Sequence, residues 1–246
     1  YDEQIHGYTD IKALDGKEMP FVDRVEITFF KEMIPRWNSF TKGNEIQYAT
    51  LPQEMVDQVL ETKNPVKLKP EYADKYLVRS DAEMGFVYNN FNMDNPEIGY
   101  NKDKNREIRN KGLRCALQKA FSWPDRIERF YYGIGEAFPG IIPPSVDGYD
   151  PNLSKASITR DVEGAKKLLA EHGWNATNLP VLEVHSVSDL RSKQFFEQER
   201  AWFMEIGYPA DKIKYITYAN FGDFNKAVTE KTVSYTHLTL PTKRIV

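Results

Sequence analysis

Between Asp161 and Asn220 the apolar spacing of the chain switches between helical and strand-like periods, and nearly every switch is marked by a cap or a glycine. Thr159 or Asp161 opens a run in which Val162, Ala165, Leu168 and Leu169 recur at helical intervals, and Gly173 closes it. That pattern gives a capped helix with one apolar stripe and a glycine stop. Leu179 to Val187 alternates Val181, Glu183, His185 and Val187 as a strand. The spacing next predicts a helix over 189–206 that buries Phe195, Phe196, Trp202, Phe203 and Ile206 and ends at Gly207. Lys212–Tyr218 reads as the following strand, and another helix opens near Asn220. Strand, helix, strand in this order suggests a βαβ unit on a mixed sheet, so the fold class is α/β.

The upstream chain is organised less regularly. Asp15-Gly16 and Pro20 mark a turn leading into Arg24–Phe30, whose alternation predicts a half-buried strand. Ile34, Trp37 and Phe40 predict a helix with Pro35 in its first turn and Gly43 at its stop. Glu45–Ala49 reads as a short strand, Pro52–Leu60 as a helix, and Tyr76–Val78 as a strand after the breaks at Asn64-Pro65 and Pro70. A polar break at Arg79–Glu83 places a domain junction near residues 80–86.

Beyond it, Phe86-Val-Tyr-Asn-Asn-Phe-Asn-Met93 reads as a strand ending in asparagines. Asn89, Asn90 and Asn92 are the candidate ligand-binding residues, because an amide both donates and accepts and so suits a peptide backbone. The same residues also serve as turn caps. Asn101–Lys111 reads as a solvated loop and helix start. Leu113, Ala116, Leu117, Ala120 and Phe121 give an amphipathic helix, with Cys115 a small buried hydrophobe within it. Ser122-Trp-Pro-Asp125 begins a second helix, with serine as its cap. Gly133–Gly140, Pro143-Pro144 and Gly148–Pro151 form a long loop.

Several function classes are excluded by what the chain lacks. Its 246 residues are 41% hydrophobic and 28% charged, a globular balance, and the net charge of −3 offers no basic footprint for nucleic acid. No apolar run approaches the ~20 residues of a bilayer span. His6, His172, His185 and His237 show no metal spacing, and no Gly-x-Ser-x-Gly elbow or other nucleophile signature accompanies the single cysteine. No catalytic residue, metal or cofactor is expected. Gly133–Gly140 lacks the spacing of a phosphate-binding loop. Trp37, Trp123, Trp174 and Trp202 read as core residues.

The order of these pieces resembles the middle of bacterial extracellular solute-binding proteins of family 5, the peptide-binding receptors of ABC importers. Leu113, Arg114, Ala116, Leu117 and Ala120 match the family phrase Leu-Arg-Gln-Ala-Leu followed by Ala-Ile-Asp-Arg, with Cys115 in place of Gln and Ser122 in place of Asp. Phe91-Asn-Met93 is similar to the end of a family strand, and Ala165–Gly173 to the family's Ala-Lys-x-Leu-Leu-Ala-Glu-x-Gly. Gly43-Asn-Glu-Ile-Gln47 departs from the family's Gly-Glu-Ile-Asp. The resemblance implies part of a two-lobed, type II-like periplasmic-binding-protein fold, with residues 1–85 in the first lobe and 86–232 beginning the second. It further implies an exported, periplasmic or cell-surface monomer that binds peptides, or less commonly nickel or oligosaccharides, and delivers them to permease subunits. A secreted hydrolase acting on peptides or glycans is the alternative. Val233–Val246 resembles the translated reading of a sequencing-library adapter, and a non-native tail is expected there.

Overall fold

The computed structural model describes residues 16–18, 23–30, 32–43, 49–63, 65–80, 86–144 and 146–239. The chain divides into two compact units, Tyr1–Met55 and Val56–Val246. Residues 80–86 lie inside the second.

In the first unit, helix α1 spans Met33–Thr41 and buries Trp37, and Gly43 adopts a φ of +73° beyond it, as the stop requires. The strand expected over 24–30 is not formed. Val25, Ile27 and Phe29 are 73%, 74% and 91% exposed, and alternation alone makes no strand without a partner to pair its backbone. Most of the strand expected at 45–49 lies outside the described residues.

The helix expected over Pro52–Leu60 is formed as a 3-10 turn, Gln53–Met55, followed by the one-turn helix α2, Val56–Val59, with which the second unit begins. Leu60 instead opens β1, Leu60–Lys63, which pairs antiparallel with β2, Val66–Leu68. The two strands thus form a hairpin across the break that follows Lys63. Helix α3 covers Pro70–Ala73, with proline in its first turn. The strand expected at Tyr76–Val78 is absent, and Leu77 is exposed.

The core elements follow. They are β3 Val87–Phe91, α4 Lys104–Ala120, α5 Trp123–Tyr131, α6 Val162–Glu171, β4 Leu182–Val187, α7 Leu190–Glu205, β5 Ile213–Tyr218, α8 Phe221–Thr229 and β6 Tyr235–Thr239. Ser122 caps α5 as expected, and Asp103, Asp161, Asp189 and Asn220 likewise each accept a hydrogen bond from the first turn of their helix. Of the two candidates before α6, Asp161 is the cap, and Lys119 together with this cap bond holds its carboxyl below the usual range.

Strand order is β3-β6-β4-β5, with β3 antiparallel to β6 and β6, β4 and β5 mutually parallel. One face carries Leu182, Val184, Ile213, Tyr235 and Phe91 into a core shared with Leu113, Ala116, Leu117, Ala165, Leu169, Phe196 and Phe203 of α4, α6 and α7. Phe196 stacks on Tyr215 at 4.6 Å. Helix α8 covers the opposite face near β5, where Phe224 lies 5.7 Å from Tyr218. The core-facing residues of β4 are therefore Leu182 and Val184, while Val181, read as part of the alternation, is 53% exposed before the strand. Cys115 is half-buried beside the apolar stripe of α4, not within it.

Candidate crevice at the carboxyl ends of the parallel strands

The chain leaves β4 through α7 to reach β5 on one side, then returns through α8 to β6 on the other. Because β5 and β6 flank β4 on opposite sides, the carboxyl end of β4 is where the switch-point rule puts a candidate crevice. Because β3 runs antiparallel, its first residues meet the end of β6, with Val87 opposite Thr239 and Tyr88 opposite Leu238. The β4 side is formed by Ser188, Asp189 and Leu190. Asp189 caps α7 through Ser192 N at 2.9 Å and Ser192 Oγ at 2.7 Å, Ser188 N is bonded to Tyr218 O at 2.8 Å, and Leu190 is 73% exposed. Near the start of β3, Phe86 packs edge-on against Phe138 of the long loop at 5.6 Å. The rim thus combines apolar side chains with backbone and hydroxyl groups, a composition common to ligand sites.

The three candidate asparagines are not brought to one place. Alternation puts Asn89 on the core face with Phe91, half-buried, and Asn90 on the opposite face, exposed. Asn90 is in register with Thr236, which is in turn in register with His185, so the three form a row across β3, β6 and β4. Asn92 lies at the end of the sheet away from the crevice. Its amide donates to Lys231 O at 2.8 Å and Val233 O at 2.7 Å, and its carbonyl accepts from Asp94 N. Ser188–Leu190 was not a candidate from sequence, because the switch point depends on strand order; the Ser-Asp cap after a strand was its only local signal.

Two polar clusters lie elsewhere in the second unit. On the α8 face, His185 is 3% exposed, with Nδ1 at 3.0 Å from Tyr218 Oη and Nε2 at 3.4 Å from Glu183 Oε2, close enough for charge interaction but without a hydrogen bond. Burial lowers the imidazole pKa, and Glu183 partly opposes that. Glu183 Oε2 also accepts from Ser234 Oγ, which accepts from Asn95. Between α5 and α7, Arg126 is fully buried. It bonds Gln198 and Glu199, each at 2.8 Å, and its guanidinium sits 4.2 Å from the Phe195 ring centre. Burial raises the Glu199 pKa despite that arginine. No group of three or more metal-ligating side chains occurs among the described residues. No helix among them is long and apolar enough to cross a membrane.

The family residue Arg114 has a structural task. It donates to Ile98 O at 2.6 Å and Gly99 O at 3.1 Å, and pairs with Glu107 at 3.1 Å. Asn110 adds bonds to Pro96 O and Gly99 O, both 3.0 Å, so the connection leaving β3 is pinned onto α4.

The fold is shared with solved periplasmic binding proteins. HbpA2 from Haemophilus parasuis superposes with a TM-score of 0.59 at 21% identity, covering 87% of this chain and 37% of that one. The ABC transporter-associated periplasmic binding protein DppA from Helicobacter pylori, in complex with the peptide STSA, gives 0.59 at 19% identity, covering 86% and 35%. MppA, a periplasmic murein tripeptide binding protein in an unliganded open form, gives 0.58 at 13% identity, covering 86% and 37%. The chain thus spans little more than a third of the proteins it resembles, and the likeness is to part of a two-lobed fold. No curated protein matches the sequence. The sequence does match the family described as bacterial extracellular solute-binding proteins, family 5 Middle, over residues 6–227, most of its length, and the chain belongs to that family.

Proposed function

We propose that this chain is part of the solute receptor of an ABC importer, one that captures peptides between two lobes and hands them to membrane permease subunits. The family match over residues 6–227 carries the reading. The peptide-binding neighbours DppA and MppA favour peptides over nickel or oligosaccharides. Residues 1–85 belong to the first lobe and 86–232 to the second, and the receptor acts as an exported monomer in the periplasm or at the cell surface, with no nucleic-acid partner.

The mechanism is capture without chemistry. Hinge closure over the candidate crevice at the end of β4 removes the ligand from water. Asn90, exposed on β3, and the backbone groups near Ser188 satisfy main-chain N–H and C=O groups of an extended peptide, while Phe86 and Leu190 accept apolar side chains. Asn89 and Asn92 assist by setting the strand and its exit.

Calorimetric titration of a longer protein containing this chain with di- to pentapeptides tests the reading. Binding without turnover is expected, and Asn90→Ala weakens it by about tenfold, the scale of one net hydrogen bond. Hydrolysis of the peptides would move the assignment to a secreted hydrolase. Binding of nickel or oligosaccharides alone would keep the family and overturn the ligand class.

A further inference from the structure

Between α5 and α7 runs a groove of about 470 Å³ that shares no residue with the candidate crevice. Asp125, Glu128 and Arg129 recur at helical intervals along its α5 wall, and Glu197 and Glu205 stand about two turns apart on its α7 wall. Gln198 and Trp202, one turn apart on α7, line the same groove although they are only 8% and 5% exposed. Each offers a donor that the fold leaves unused. Arg126 Nε donates to Gln198 Oε1 at 2.8 Å. Because a guanidinium only donates, the amide oxygen must face it, and the amide nitrogen is left over. Phe121 packs edge-on against Trp202 at 4.8 Å and holds the indole in place. Among the described residues neither Gln198 Nε2 nor Trp202 Nε1 bonds a partner, and neither is sealed from the groove. Donors on side chains this deeply buried call for an acceptor.

Their spacing indicates which acceptor fits. Four residues of helix set the two donors about 6 Å apart along the axis. In an extended peptide the carbonyls along one edge recur at every second residue, about 6.7 Å apart, and successive side chains point to opposite sides. A strand set edge-on in the groove brings two carbonyls to Gln198 and Trp202 and sends its side chains alternately to the α5 and α7 walls. Those walls carry four carboxylates against the one guanidinium of Arg129. Asp125 has no cation partner among the described residues. Glu128 lies 3.8 Å from Lys63 and Glu197 3.6 Å from Arg200, while Glu205 pairs with Arg160. Exposed pairs of this kind are weak, so a ligand cation displaces them at little cost.

We propose that the α5–α7 groove is a second peptide site, one that takes a free, extended peptide rich in lysine or arginine. Its carbonyls accept from Gln198 and Trp202, and its cations meet the two acidic walls. The site does not rest on the crevice, and the two readings can fail separately.

The test titrates tetralysine with blocked ends into the full 246-residue chain at low salt. Binding is followed by calorimetry, by the indole N–H resonance of Trp202 and by the backbone amides of 188–190. The indole resonance is expected to shift while those amides stay in place. Asp125→Asn combined with Glu197→Gln, both exposed and nearly isosteric, weakens binding by about fivefold, the scale of two exposed ion pairs. Glu163→Gln combined with Glu230→Gln, on α6 and at the end of α8, removes the same charge elsewhere and leaves the affinity unchanged. Spermine, which has cations but no carbonyl, binds more weakly and leaves the Trp202 resonance unshifted. The proposal is overturned if the control pair costs as much as the groove pair, since the attraction would then be general. It is equally overturned if spermine matches tetralysine at Trp202, which would make the groove a cation site only. Shifts at 188–190 without one at Trp202 would also overturn it, and would leave the crevice reading standing.

Discussion

His185 is a residue whose ionisation the fold biases through burial. The titratable groups facing it are Glu183 on its own strand and Tyr218 on β5, while α8 contributes the apolar Phe224 to that face. Burial holds its pKa below the ordinary value of 6.5, so the folded chain binds this proton less readily than the unfolded one. Stability therefore rises with pH across this group's range and falls as the medium is acidified below about 6.5. Unfolding midpoints between about pH 5 and 8 should show that slope, and His185→Gln should remove its share; equal slopes in both proteins would place the sensitivity elsewhere. Arg126 and Glu199 make the opposite case, a charged pair kept in the interior. Arg126→Met strands a buried carboxylate and is expected to cost about 3–5 kcal/mol in urea unfolding. Replacing both partners with apolar residues should cost less than that single change, and a double variant worse than the single one would contradict this account.

At the scale of elements, α4 and α6 cross where Gly112 meets His172, and a Cβ at Gly112 would run into the imidazole ring. That ring is fixed by Nδ1 at 2.8 Å from Leu168 O, and Arg109 clasps the same helix end through His172 O at 3.1 Å and Gly173 O at 3.2 Å. Gly112→Ala is expected to destabilise by about 1–3 kcal/mol through overpacking. With His172→Ala already in place, the same change should become neutral or favourable, because alanine is the better helix former by about 1 kcal/mol. A cost that persists without the imidazole would show that the crossing is limited by something else. The helices α4, α5, α6, α7 and α8 were legible in the sequence because caps such as Ser122 and stops such as Gly173 act within a few residues. The strand at 24–30 was misread and the hairpin at 60–68 was not anticipated, because pairing, not alternation, makes a strand. Site residues follow the same division. Alternation separates Asn89 from Asn90, but the bonds of Asn92 reach carbonyls 139 and 141 residues away, beyond any local pattern. Ser188–Leu190 became visible only once strand order put β4 at the switch point.

At the scale of the whole molecule, a receptor that works by closure divides its binding energy between two lobes. A ligand pocket normally covers most of its ligand, and a single sheet edge with a rim at Phe86 and Leu190 leaves one side of a peptide in water. The chain covers 37% of HbpA2 and 35% of DppA, so a protein of their length brings surface that these residues lack. The longer protein is therefore expected to bind a short peptide at least tenfold more tightly than the 246-residue chain, measured by calorimetry at one temperature and salt concentration. Its scattering radius should shrink on binding, while that of the shorter chain stays constant. Equal affinities would mean that the candidate crevice at the end of β4 is sufficient by itself. Capture would then be a property of one lobe, and closure would serve delivery to the permease instead of affinity.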